Sequence, residues 1–295
     1  MLAHGSDELD LLAVTTVSGN QDLQKVTHNA RVVATVIGMT DVPIAAGAAH
    51  PLLREPVFAP EIHGESGLGG PVLIEPTVPL DGRHAVDLII EMIMDSAPGE
   101  ITVIGTGPAT NLALALRREP AIARRVRSVV LMAGAHTRGN VTPAAEFNVY
   151  ADPHATAVVL QAPWDVTLIG LDLTHQAAAT ADVRSRIAAI GTGPARFTSE
   201  LLAFFAEAYE KAQEMPDPPV HDPCAVAYVI DPGVMTTRPA RVVVELTGEH
   251  TTGMTVIDFS EHGGPRTSTV GLVLDRPRFW DLMTDALLAI GDPRS

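Results

Sequence analysis

One alternation runs the length of the chain: a short, continuously apolar stretch, then a stretch with helical spacing. "EITVIGTG", "RSVVLMAGA" and "DVTLIGLDLT" place apolar residues at consecutive positions rather than at every second one. A strand written this way has no face for solvent, so both sides of its sheet must be covered. The intervening segments, among them "PATNLALALRREPAIARRV" with Pro108 near its first turn and "DPHATAVVLQA", read as helices. Upstream, the strands "ELDLLAVTTV" and "VPIAAGA" flank the helix "QDLQKVTHNARVVATVIG", and "RHAVDLIIEMIMDSA" is a helix stopped by Pro98-Gly99. Downstream, "PARFTSELLAFFAEAYEKAQ" is a long helix, "CAVAYVI" a buried one, "ARVVVELTG" and "GMTVIDF" a hairpin, and "RPRFWDLMTDALLAIG" a closing helix. The expected fold is α/β: a doubly wound, mostly parallel sheet with helices on both faces.

The 295 residues, 46% of them hydrophobic, suffice for one large domain spanning 1–295, with no internal repeat or low-complexity segment. Their net charge of −15 argues against a nucleic-acid backbone as partner, which needs clustered Lys and Arg, but not against a single nucleoside. A lone cysteine, Cys224, excludes an intramolecular disulfide framework and a cysteine-rich zinc site. No segment approaches the roughly 18 apolar residues of a membrane span, so the expected location is the cytoplasm.

In sheets of this kind the ligand crevice lies beyond the carboxyl ends of the strands. Asn20 follows the first strand and Thr106 follows "TVIG". Met132 ends "VVLM"; Asn140, Glu146 and Asn148 lie in the polar loop beyond it, and His221-Asp222 precedes "PCAVAYVI". Each has a plainer reading. Asn20 or Asp222 can cap the helix that follows it, Glu146 and Asn148 can bond their own loop, His221 can be structural, and Met132 and Cys224 can be core.

Together the segments are more specific. "TGPATNLALA", "VVLMAGA", "GNVTPAAEFNVYADP", "LIGLDLTHQ", "VHDPCAVAYVIDP", "ELTGEHTTGMTV" and "FWDLMTDAL" resemble, in order and over essentially the whole chain, the nucleoside hydrolases that prefer inosine and uridine. The resemblance implies a Rossmann-like nucleoside hydrolase fold. The implied reaction is cleavage of a nucleoside's N-glycosidic bond by water, through an oxocarbenium-like transition state. It implies that Asn140, Glu146, Asn148 and Asn20 hold the ribose, with Met132 against the sugar. His221 would be the acid for the leaving base, its imidazole having a suitable pKa. Tyr209 and Phe205 would lie near the base, and His63, in the flexible "HGESGLGG" loop, would belong to a lid. It also implies a Ca²⁺ ion bound by the Asp222 carboxylate and the Thr106 carbonyl, nucleoside salvage, and a homodimer or homotetramer.

One departure bears on that metal. Met1 to Gly5 reads as the last turn of a helix stopped by Gly5. Members of the family begin earlier, with a strand and a loop of the form Asp-x-Asp-x-Gly-x-Asp-Asp that supplies most of the metal's carboxylates and the general base. That strand and loop have no counterpart here. Calcium affinity is expected to collapse without them, because ligand charge sets it. Two expectations follow: a complete enzyme whose start lies upstream of Met1, which is favoured, or a truncated, non-catalytic binder of nucleoside or ribose.

Overall fold

The structure is a computed structural model and describes residues 1–260 and 262–291. Two parallel strands come first, β1 (Val14–Thr16) and β2 (Ile44–Ala46), joined through α1 (Leu23–Val36). The loop after β2 carries a single helical turn, α2 (Pro60–His63), and leads to α3 (Ala85–Asp95). Then come β3 (Thr102–Gly105), α4 (Thr110–Arg118), β4 (Ser128–Leu131), α5 (Phe147–Ala151), α6 (Pro153–Leu160) and β5 (Val166–Leu168). The next four helices are α7 (Leu171–Thr174), α8 (Ala181–Ile190), α9 (Gly193–Gln213) and α10 (Asp222–Ile230). The chain closes with β6 (Met235–Val244), β7 (Thr255–Asp258), β8 (Ser268–Leu274) and α11 (Arg276–Ile290). Among the described residues no helix is long and apolar enough to cross a membrane.

The large sheet has the order β3-β4-β5-β8-β6-β7, parallel as far as β8 and antiparallel beyond it. The continuous apolar runs do what their pattern requires. Val129 and Leu131 of β4 enter the core under α3, α4 and α6, while Val130 and Met132 enter the one under α10 and α11. Two corrections concern strands. "ELDLLAVTTV" reads as a long strand, but only Val14–Thr16 pairs, because β2 offers three residues opposite it. "STVGLVL" has no strand reading in the sequence, yet it forms β8, with β5 on one side and β6 on the other.

β1 and β2 form a sheet of their own, and β1 and β3 each leave one edge unpaired. Between these edges lies a groove of about 320 Å³, lined by Thr15, Thr16, Val103, Ile104 and Gly105. The buried side chain of Asn111, on α4, ties the two sheets together. Its Oδ1 accepts from the Ala48 amide at 2.8 Å and its Nδ2 donates to the Thr16 carbonyl at 2.9 Å. Asn111→Ala leaves both backbone groups without that partner and is expected to cost about 2–3 kcal/mol. Urea unfolding checks this; a loss below about 0.5 kcal/mol would show that Asn111 does not couple the sheets.

Candidate active site

The carboxyl ends of β1, β3 and β4 open onto a cavity of about 680 Å³, to which Asn20, Thr106 and Met132 contribute directly. α5 and the loop before it form one wall with Asn140, Glu146 and Asn148; α9 and α10 form the other with Phe205, Tyr209, His221 and Asp222. His63, the last residue of α2, lies over the top. Every site residue expected from the sequence therefore meets in one cavity.

On the first wall, Glu146 is 2% exposed and is the N-cap of α5. Its Oε1 accepts from the Asn148 amide at 2.8 Å, and its Oε2 from the amides of Gly134 at 2.9 Å and Val149 at 3.1 Å. Burial pushes this carboxyl up to about 7, against three N–H groups that favour its charge. The plainer reading, that Glu146 bonds its own loop, holds in the form of a helix cap and coexists with a place in the cavity. The Asn148 amide nitrogen donates to the Met132 carbonyl at 2.9 Å. Asn140 Oδ1 accepts from the Phe147 amide at 2.9 Å, tying the loop to the start of α5.

The helix-cap readings of Asn20 and Asp222 give way. Asp22, not Asn20, caps α1 by accepting from the Lys25 amide at 2.9 Å. Asp222 is the first residue of α10 rather than its cap; that position falls to His221, whose side chain makes no capping bond. Asn20 and Asp222 face both the cavity and the groove between β1 and β3. Asp222 is exposed to the cavity it lines, and desolvation by the surrounding protein, then the charge of Glu146, pushes its carboxyl up to about 7.

On the second wall, His221 is held at both ring nitrogens. Thr174 Oγ1 lies 2.7 Å from Nδ1, and the Tyr209 hydroxyl 2.7 Å from Nε2. Burial, then His175 and His63, pushes the imidazole down to about 3. The ordinary histidine pKa assumed from the sequence does not apply, and desolvation favours the neutral imidazole. Burial also pushes the Tyr209 hydroxyl up, so it keeps its proton. Phe205 packs edge-on against Tyr209, centroids 4.6 Å apart, and stacks with His63 at 5.8 Å. The His63 loop is pinned on α9 and α1. At Gly70, with φ of +111°, a Cβ would meet the Glu200 carbonyl oxygen at 2.4 Å, and the Asn29 amide donates to the Ser66 carbonyl at 2.7 Å.

Sequence reasoning missed Thr174 and Asp152. Thr174 is the last residue of α7, in a stretch whose apolar run reads as a strand, with nothing in its spacing to mark it. Asp152 is fully buried and joins three elements, contacts that only the fold creates.

This arrangement suits a sugar-base conjugate. Amides and a carboxylate gather at one end, aromatic and imidazole groups and the Tyr209 hydroxyl at the other. The family described as inosine-uridine preferring nucleoside hydrolase matches residues 1–281. The inosine-uridine preferring nucleoside hydrolase of Leishmania major is 52% identical over 297 residues, covering 99% of this chain and 94% of that protein. The enzyme of the same description from Crithidia fasciculata is 50% identical over 296 residues, covering 100% and 94%. Among solved structures, a plant nucleoside hydrolase, PpNRh1, superposes with a TM-score of 0.91 at 30% identity, covering 98% of this chain and 93% of that one.

Proposed function

Because this chain belongs to the inosine-uridine preferring nucleoside hydrolase family, it is a nucleoside hydrolase, and we propose that it cleaves inosine and uridine to ribose and the free base. The bond between the anomeric carbon and the base nitrogen breaks with its electron pair leaving on the base. The water oxygen bonds to that carbon and gives up one proton, and the base gains one. The observation that carries this reading is the buried Glu146 carboxylate, held by three amides beside the sugar end of the cavity, opposite the Tyr209–His221 donor pair. The carboxylate stabilises positive charge as the oxocarbenium forms. Asn20, Asn140 and Asn148 bind the ribose hydroxyls and Met132 packs against the ring. Phe205 and His63 face the base, and Tyr209 with His221 stabilises the charge leaving on it.

Calcium takes six to eight oxygen ligands. Asp222 and the Thr106 carbonyl supply one carboxylate and one carbonyl, Glu146 is engaged by its amides, and no group of three His, Cys, Asp or Glu among the described residues could hold a metal ion. This donor set does not fit a calcium site. An extended segment bearing carboxylates, seated in the groove between β1 and β3, is the source proposed for further ligands. The two unpaired edges support this, since a parallel strand between them would end beside Thr106 and Asp222. The cytoplasm as location and a homodimer or homotetramer complete the proposal.

The test is ribose release from inosine and uridine, with and without added Ca²⁺, by this chain and by one extended upstream with a strand and an aspartate loop. Turnover by either chain is expected, with calcium acting only on the extended one. Failure of both to release ribose would overturn the assignment of substrate; calcium activation of the shorter chain would overturn the account of the metal.

A further inference from the structure

Resting on that reading of the site, we propose that Thr174 is a positioning residue that fixes the direction of the hydrogen-bond chain reaching the leaving base. The direction is set by the Thr174 hydroxyl, whose one side-chain hydrogen-bond contact among the described residues is His221 Nδ1. Thr174, at the end of α7, is 0% exposed, and its hydroxyl touches His221 Nδ1. Were that hydroxyl to accept from Nδ1–H, its own proton would be left buried without an acceptor, at a cost comparable to a lost hydrogen bond. The favourable sense is therefore Thr174 Oγ1–H donating to Nδ1. His221 then carries its proton on Nε2 and donates it to the Tyr209 oxygen, 2.7 Å away.

Tyr209 is thereby freed to donate. With its oxygen already accepting from His221, its own O–H turns to the cavity that it lines. The chain Thr174 to His221 to Tyr209 to base runs one way, each donor polarising the next. In the reverse sense the tyrosine proton would point at His221 and the leaving base would lose its donor. Thr174 thus acts through His221 without touching substrate. Its position on α7, 47 residues before His221, hides it from any reading of local sequence.

The experiment compares Thr174→Val and Thr174→Ser on inosine and on 4-nitrophenyl β-ribofuranoside, whose nitrophenolate leaves without needing a donor. Thr174→Val keeps the shape and removes the hydroxyl. It is expected to lower the ratio of inosine to nitrophenyl riboside turnover by about 10–100-fold, through kcat with KM little changed. Thr174→Ser is expected to restore the ratio. An equal loss on both substrates, or no loss on either, would overturn the positioning role.

Side-chain ¹⁵N and ¹³C shifts of His221 give a readout independent of turnover. They are expected to report the Nε2–H tautomer in the parent chain and its loss in Thr174→Val; an Nδ1–H tautomer in the parent overturns the proposed direction. If the parent chain shows the Nε2–H form but neither it nor the chain extended upstream cleaves either compound, the reading of function is overturned and the hydrogen-bond direction stands.

Discussion

Replacing Glu146 with glutamine is expected to lower kcat for nucleoside cleavage by about 10²–10³-fold, or roughly 2.7–4 kcal/mol of transition-state stabilisation. The size of the effect follows from how the carboxylate is held. Three backbone amides within 3.1 Å fix both oxygens, so the group does not reorganise when positive charge forms on the sugar. It is 2% exposed, and water does little there to screen its field. Glutamine is close in size but uncharged, and its NH₂ must face at least one of those amide donors. That leaves a buried N–H unpaired and costs about 1–3 kcal/mol of stability. Catalysis and folding are separated by measuring kcat at saturating nucleoside alongside thermal unfolding. A variant that keeps kcat within a few-fold while losing stability would reduce Glu146 to the cap of α5.

The second large effect is on stability. Asp152→Ala is expected to destabilise the chain by about 3–5 kcal/mol, since three donors lose their acceptor at about 1–3 kcal/mol each, although Asp152 lines neither the cavity nor the groove. Its fully buried carboxylate accepts from the Thr110 hydroxyl at 2.7 Å, the Leu52 amide at 2.9 Å and the Ala155 amide at 3.0 Å. One side chain thus caps α6, holds the start of α4 and anchors the loop that leads to His63. Alanine leaves all three donors without this acceptor inside the fold. The check is a lower urea midpoint at unchanged m-value; a loss under about 1 kcal/mol would mean that water or neighbouring groups replace the carboxylate. α5, which carries Asn148 and is capped by Glu146, runs directly into the helix that Asp152 caps. A fall in nucleoside affinity should therefore accompany the stability loss.

Local pattern made several features legible. β3, β4 and β5 are continuous apolar runs because both faces of their sheet are covered. The loops following such strands were the place to look for polar groups, and Asn20, Thr106, Asn140, Glu146 and Asn148 lie there. Two errors share a cause. The sequence pattern overstates β1 and hides β8, because a strand's extent belongs to its partner as much as to its own residues. Ser268–Leu274 carries a glycine and two hydroxyl residues, a weak strand pattern, yet it is held between β5 and β6. The capping readings of Asn20 and Asp222 were reasonable locally, but Asp22 has the better position at α1.

By itself the sequence determined the α/β class, the two-sided sheet, the family and the identity of the groups that meet at the strand ends. These depend on periodicity, on residue type and on long ordered motifs, all of which can be read along the chain. Only the tertiary structure decided what those groups are chemically. His221 is neutral because burial strips its imidazole of the water that would stabilise a charge, and its direction of donation depends on Thr174, brought to it from another helix. Glu146 is an oriented carboxylate because three amides converge on it, and Asp152 is a structural hub because three elements do. Protonation state, hydrogen-bond direction and desolvation are set by neighbours in space, and no spacing along the chain encodes them.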